Sequence, residues 1–121
     1  MAEDLSRRLC ILKEGGVLSE KNFERVSCII AHFSDRHGIE LTEENASAFI
    51  THLCSALERI SGGEPVVELD SDIYEDVIIH PMFQQASKIS GELKQMYQMI
   101  PESELMYLNM HLNVLLEVVQ D

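Results

Sequence analysis

Thr42-Glu43-Glu44-Asn45-Ala46-Ser47-Ala48-Phe49-Ile50-Thr51-His52-Leu53-Cys54-Ser55-Ala56-Leu57-Glu58-Arg59-Ile60 is the stretch from which the fold can be read. Phe49, Ile50, Leu53, Leu57 and Ile60 recur at helical spacing and form one apolar stripe, so the segment is expected to fold as an amphipathic helix with that stripe turned inward. Thr42 is placed to cap the first turn, Glu43 and Glu44 lie where the helix macrodipole favours anions, and Gly62-Gly63 ends the helix. One residue departs from the pattern. His52 stands within the apolar run, where an imidazole is costly if buried unpaired and useful if reachable, as base, metal ligand or phosphate acceptor near neutral pH.

The same period recurs on either side. Residues 19–37 carry Phe23, Val26, Ile29, Ile30 and Phe33 between Ser19 as N-cap and Gly38 as stop. Residues 2–12 offer a further short amphipathic helix through Leu5, Leu9 and Leu12, broken by Gly15-Gly16. Residues 64–71 lack a helical period and read as a loop pinned by Val66, Val67 and Leu69, with a short strand as the alternative. Asp72 to Ile79 make a short helix, and Pro81 suits the first turn of the next, which runs to about Met99 with Gly91 as a weak point. Pro101, Glu102 and Glu104 start a last helix with a dense stripe of Leu105, Leu108, Leu112, Leu115, Leu116 and Val119, and the chain is expected to end in structure. Helices joined by short turns, with no internal repeat or long linker, give an all-α bundle in one domain spanning 1–121.

Composition narrows the function. With 21 acidic against 9 basic side chains the formal charge is −12, which repels phosphate backbones and anionic membrane surfaces. Direct nucleic-acid binding is not expected. Cys10, Cys28 and Cys54 are odd in number and form no CxxC pair, so neither a disulfide framework nor a zinc knuckle is suggested. The start lacks the basic and apolar regions of an export signal, and no apolar run approaches the roughly 20 residues of a membrane span. The expectation is a reduced, cytoplasmic protein with no membrane contact.

The second informative histidine is His111, in Tyr107-Leu108-Asn109-Met110-His111-Leu112. His52 and Arg59 are seven residues apart and lie on one helix face, as do Glu104 and His111. Arg59 could therefore receive a phosphate added to His52 as a bidentate partner, and Glu104 could fix the His111 tautomer through a turn or a water. The bland alternatives are core histidines bonded to carbonyls, and an Arg59 paired with Glu58 or Glu64 at the surface. His32 and His37, five apart, do not share a face and read as solvated side chains. His80, before Pro81, sits at a helix junction, where it either stabilises the preceding C-terminus or approaches the other histidines. No GxSxG, HExxH, glycine-rich phosphate loop or cysteine nucleophile signature is present. A metal enzyme built on His52, His80 and His111 is the weakest reading, because no helix supplies a ligand pair. No cofactor, metal ligand or catalytic residue is assigned.

Three segments together carry a resemblance: Thr51 to Ile60, His80-Pro81-Met82-Phe83-Gln84-Gln85-Ala86, and Ile100-Pro101-Glu102-Ser103-Glu104 followed by His111. In order and spacing they resemble the PTS regulation domain, or PRD, of bacterial antiterminators and activators controlled by the sugar phosphotransferase system, over roughly residues 18–118. The resemblance implies a compact five-helix bundle, to which the segment 2–12 adds a short N-terminal helix. It also implies a non-enzymatic regulator of transcription whose histidines are phosphorylated by the phosphocarrier HPr or a sugar-specific enzyme II component. By position His52 and His111 are the acceptors and Arg59 is the anion partner, with Glu104 and His80 as phosphate-neighbour or orienting residues. Thr51 stands where the family usually has an acidic residue. The chain shows one such domain and no adjoining nucleic-acid-binding domain, so either a stand-alone partner protein or one that has lost phosphorylation is expected. A homodimer is implied, and the stripe of Leu105, Leu108, Leu112, Leu115 and Leu116 is broad enough to serve both core and interface. The alternative function is a constitutive interaction scaffold with structural histidines and a Met-rich surface.

Overall fold

Thr42 and Asn45 cap each other reciprocally at the start of the central helix. The Asn45 N–H donates to Thr42 Oγ1 at 3.1 Å and the Thr42 N–H donates to Asn45 Oδ1 at 2.8 Å, so two of the orphan donors of the first turn are satisfied. That helix is the third of six α-helices in the computed structural model, which describes residues 3–64 and 66–120. The order is α1 (Glu3–Glu14), α2 (Glu20–His37), α3 (Glu43–Ser61), α4 (Ser71–Ile78), α5 (Phe83–Met96) and α6 (Glu102–Gln120). The all-α class holds, with no strand among the described residues. The count is six and not the five of the resemblance, and α1 is the addition. No helix of the described residues is long and apolar enough to cross a membrane.

The chain divides into two compact units, the first running to Glu58 and the second beginning at Arg59. In the first, α2 opens on Ser19, whose side chain accepts from the Asn22 N–H, and closes on Gly38, in the left-handed region at φ 64°. The Gly38 N–H bonds Ser34 O and the Ile39 N–H bonds Phe33 O, a closure that a residue with a Cβ would strain. Asn22 is wholly buried, and its amide donates to Glu58 Oε2 at 2.7 Å while Oδ1 accepts from Arg25 at 2.8 Å. The Ser19 N–H donates to the same Glu58 oxygen at 3.0 Å. Burial raises the affinity of Glu58 for its proton, but these donors outweigh it and the pKa falls below the ordinary value. Leu5, Leu9, Phe33 and Phe49 are fully buried or nearly so, and the two phenyl rings meet edge to face with centroids 5.6 Å apart.

In the second unit the junctions depart from the sequence expectation. Pro81 does not enter the next helix, which starts at Phe83. His80 explains the delay: its Nδ1 accepts the Met82 N–H at 3.0 Å and its carbonyl accepts the Phe83 N–H at 3.0 Å, which stabilises a turn over residues a helix would otherwise claim. Nor does α5 reach Met99. Tyr97 turns extended at φ −134°, and the Lys94 ammonium folds back to donate to the carbonyls of Gln98, at 2.7 Å, and Ile100. Pro101 then bars Ile100 from helical geometry. In the connecting loop Val66 and Leu69 are half-buried, but Val67 is 82% exposed, and what tethers it is its carbonyl, which accepts from Tyr107 Oη at 2.7 Å. Pro65 lies outside the described residues, as does Ala2 of the segment expected to start α1.

Candidate functional site

His52 is half-buried on α3, between exposed Thr51 and fully buried Leu53. On the same helix, the residue before His52 is held by a side chain that the sequence did not point to. Arg8 of α1 holds the Glu43 carboxylate through Nε, at 2.9 and 3.0 Å, and through Nη2, while its Nη1 donates to Thr51 Oγ1 at 3.0 Å. No local signal could have found this, since the partners lie 35 and 43 residues away. Cys54, one turn beyond Thr51, is buried, and burial first and Glu58 second push its thiol up to about 11 against the opposing charge of Arg8.

The second unit holds Arg59, Glu104, His80 and His111. Arg59 in the last turn of α3 meets Glu104 in the first turn of α6 through two bonds, Nε to Oε2 at 3.1 Å and Nη2 to Oε1 at 3.0 Å. Each charge sits at the helix end whose dipole favours it, and the fork geometry adds direction to the attraction. Glu104 is only 1% exposed. Its bonds, against the cost of burial, hold the Arg59 guanidinium more firmly charged than usual. Arg59 thus pairs with neither Glu58 nor Glu64, and Glu104 spends its carboxylate on Arg59.

His111 is half-buried on α6, and burial lowers its pKa from the ordinary 6.5, which favours the neutral imidazole at neutral pH. A neutral ring keeps a lone pair for a nucleophilic or acceptor role. His80 takes the Met82 N–H on Nδ1, so its Nε2 carries the proton that faces Glu117 Oε2 at 2.9 Å. Two buried asparagines four residues apart on α6 complete this unit: Asn113 donates to Val77 O at 3.0 Å and Asn109 to Tyr74 Oη at 3.3 Å, tying α4 to α6. Their signal in the sequence was polar residues inside an apolar stripe.

Two sequence expectations need correcting here. His32 and His37 do meet, their rings edge to face with centroids 5.6 Å apart, because long side chains bend across the roughly 140° between positions five apart. The five leucines of α6 are all buried, so the stripe is spent inside the chain and leaves no leucine face for a second copy.

Comparison with curated proteins and with solved structures finds no match. The family model for the PRD domain, in contrast, matches residues 27–115, a span that takes in His52, Arg59, His80, Glu104 and His111. With well over half of its 121 residues matched, the chain belongs to the PRD domain family.

Proposed function

We propose that this chain is a non-enzymatic, cytoplasmic regulatory domain of the sugar phosphotransferase system, acting as a single domain over 1–121. In this reading His52 and His111 accept phosphoryl groups from the phosphocarrier HPr or a sugar-specific enzyme II component. The change is passed to transcription through homodimerisation or a protein partner. The observation that carries the reading is the family match, whose span includes both histidines and Arg59.

The geometry supports a switch. A phosphoryl group brings about −1.5 to −2 charges at neutral pH, and Arg59, the anion partner in this reading, is already held by buried Glu104. A phosphoryl group that draws on Arg59 competes with Glu104, and a carboxylate stripped of its cation in a buried position is strongly unfavourable. His80, held by Glu117, and Glu104 act as orienting residues in this reading.

Incubation with the purified phosphotransferase proteins and phosphoenolpyruvate, followed by mass spectrometry under conditions that preserve acid-labile phosphate, is the direct test. Label at His52 or His111 is the expected outcome, and label at neither rejects the reading. The alternative, a constitutive scaffold, draws on the exposed apolar side chains of α4 and α6, among them Ile73, Ile78, Val114 and Val118. It requires His52→Gln and His111→Gln to leave partner affinity untouched.

A further inference from the structure

α1 lies wholly outside the matched residues 27–115, yet it is fastened to the helix that carries His52. Leu5 and Leu9 flank Arg8 and are fully buried, so the backbone beneath the guanidinium is anchored by apolar burial and not only by its ion pair. With a rise of about 1.5 Å per residue, Glu43 and Thr51 are about 12 Å apart along α3. Arg8 bridges them, with Nε and Nη2 on the carboxylate and Nη1 on the hydroxyl. The pair is a dipole laid along the helix, carboxylate at the first turn and cation toward the residue before His52. Thr51 is neutral and adds no charge to cancel that cation.

Three of the five N–H groups of a guanidinium are used in this way, which leaves one hydrogen on each of Nη1 and Nη2 for an anion. The charge is felt on the neighbouring turn, where Arg8 acts against burial and Glu58 on the Cys54 thiol. Thr51 directly precedes His52 in α3, so the guanidinium is held beside the residue next to the acceptor.

We propose that Arg8 is a positioning residue for phosphoryl transfer to His52, its cation attracting the phosphoryl oxygens during transfer and holding the phosphorylated form; this rests on the reading of His52 as an acceptor. The transfer balances without water. A lone pair on a ring nitrogen of His52 forms the new N–P bond while the N–P bond of the donor phosphohistidine breaks, its electron pair returning to the donor ring, and the phosphoryl group moves whole. Arg8 exchanges no proton. It supplies electrostatic stabilisation where negative charge arrives.

The test is site-resolved phosphorylation of the full chain by the phosphotransferase proteins, with His111 as the internal reference. Arg8→Gln is expected to lower the initial rate at His52 by about five- to tenfold, the range a single partly exposed charge supplies, with His111 unchanged and Arg8→Lys recovering most of the loss. Glu43→Gln breaks the same ion pair but keeps the cation, and is expected to leave His52 labelling intact or faster. Equal labelling of His52 in wild type and Arg8→Gln overturns the proposal, as does a loss in Glu43→Gln as large as that in Arg8→Gln, which would assign the effect to structure. Absence of label at His52 in the wild type defeats the underlying acceptor reading and the proposal with it, an outcome distinct from a difference between variants.

Discussion

Glu104 depends on a single partner, Arg59. Its carboxylate is buried and receives both bonds from Arg59, so Arg59→Ala should destabilise the fold by about 2 to 3 kcal/mol, at or below the usual range for breaking a buried pair because the arginine is partly exposed. The double variant Arg59→Ala/Glu104→Gln should recover much of that loss, since the amide carries no charge to strand. Urea unfolding of the two singles and the double decides it, and strictly additive losses would mean that the pair contributes nothing. The sequence placed Glu104 at the start of the last helix and Arg59 on the face of His52, and offered His111 as the residue Glu104 could orient. Spacing along one helix reveals which residues share a face, whereas a partner 45 residues away is set by how the elements pack. His111 offers a second check. Its folded pKa is depressed by burial, so as pH falls below 6.5 the unfolded chain binds a proton before the folded one does. Stability from this group is complete above 6.5 and is lost as pH falls through the lowered folded value. His111→Gln should flatten that part of the stability profile, and an unchanged slope in the variant would assign the pH dependence to other groups.

The helices themselves were legible because their punctuation is local. Ser19, Gly38 and Thr42 do at the termini of α2 and α3 what their side chains, or the lack of one, dictate. The helix ends that were misread around α5 fall where a side chain outcompetes propensity: His80 builds a turn that holds Pro81 out of α5, and Lys94 captures carbonyls that end the same helix before Met99. Gly91 tests the local account in the other direction. It lies inside α5, and a Cβ added there would meet nothing within 4 Å, so Gly91→Ala should stabilise by about 0.5 to 1 kcal/mol through helix propensity and a less disordered unfolded chain. Gly38→Ala should do the opposite, because φ there is +64°. Thermal unfolding followed by circular dichroism separates them. A lower midpoint for Gly91→Ala would show that the bare backbone at this point of α5 has a role that packing does not reveal.

At the scale of the whole molecule the net charge of −12 sets the terms of assembly. Leu105, Leu108, Leu112, Leu115 and Leu116 promised from sequence to serve core and interface together, but burial has taken all five; periodicity identifies an apolar stripe and cannot say how many neighbours share it. A homodimer must therefore use what is left outside, and in the second unit the exposed apolar side chains include Ile73, Ile78 and Ile79 of α4 and its end, Val114 and Val118 on α6, Val67 in the loop before α4, and Met96 and Met99. Apolar contact of this kind is insensitive to salt, whereas bringing two bodies of like charge together is opposed by repulsion that extends about 10 Å at 0.1 M ionic strength. Added salt shortens that range and leaves the apolar attraction in place. Dimerisation should therefore strengthen several-fold between about 0.05 and 0.5 M salt, and phosphorylation, which adds negative charge, should make the dependence steeper. Sedimentation across a salt series at micromolar protein measures both. A monomer at every salt defeats the dimer, and weakening with salt would place ion pairs, not these isoleucines and valines, at the interface.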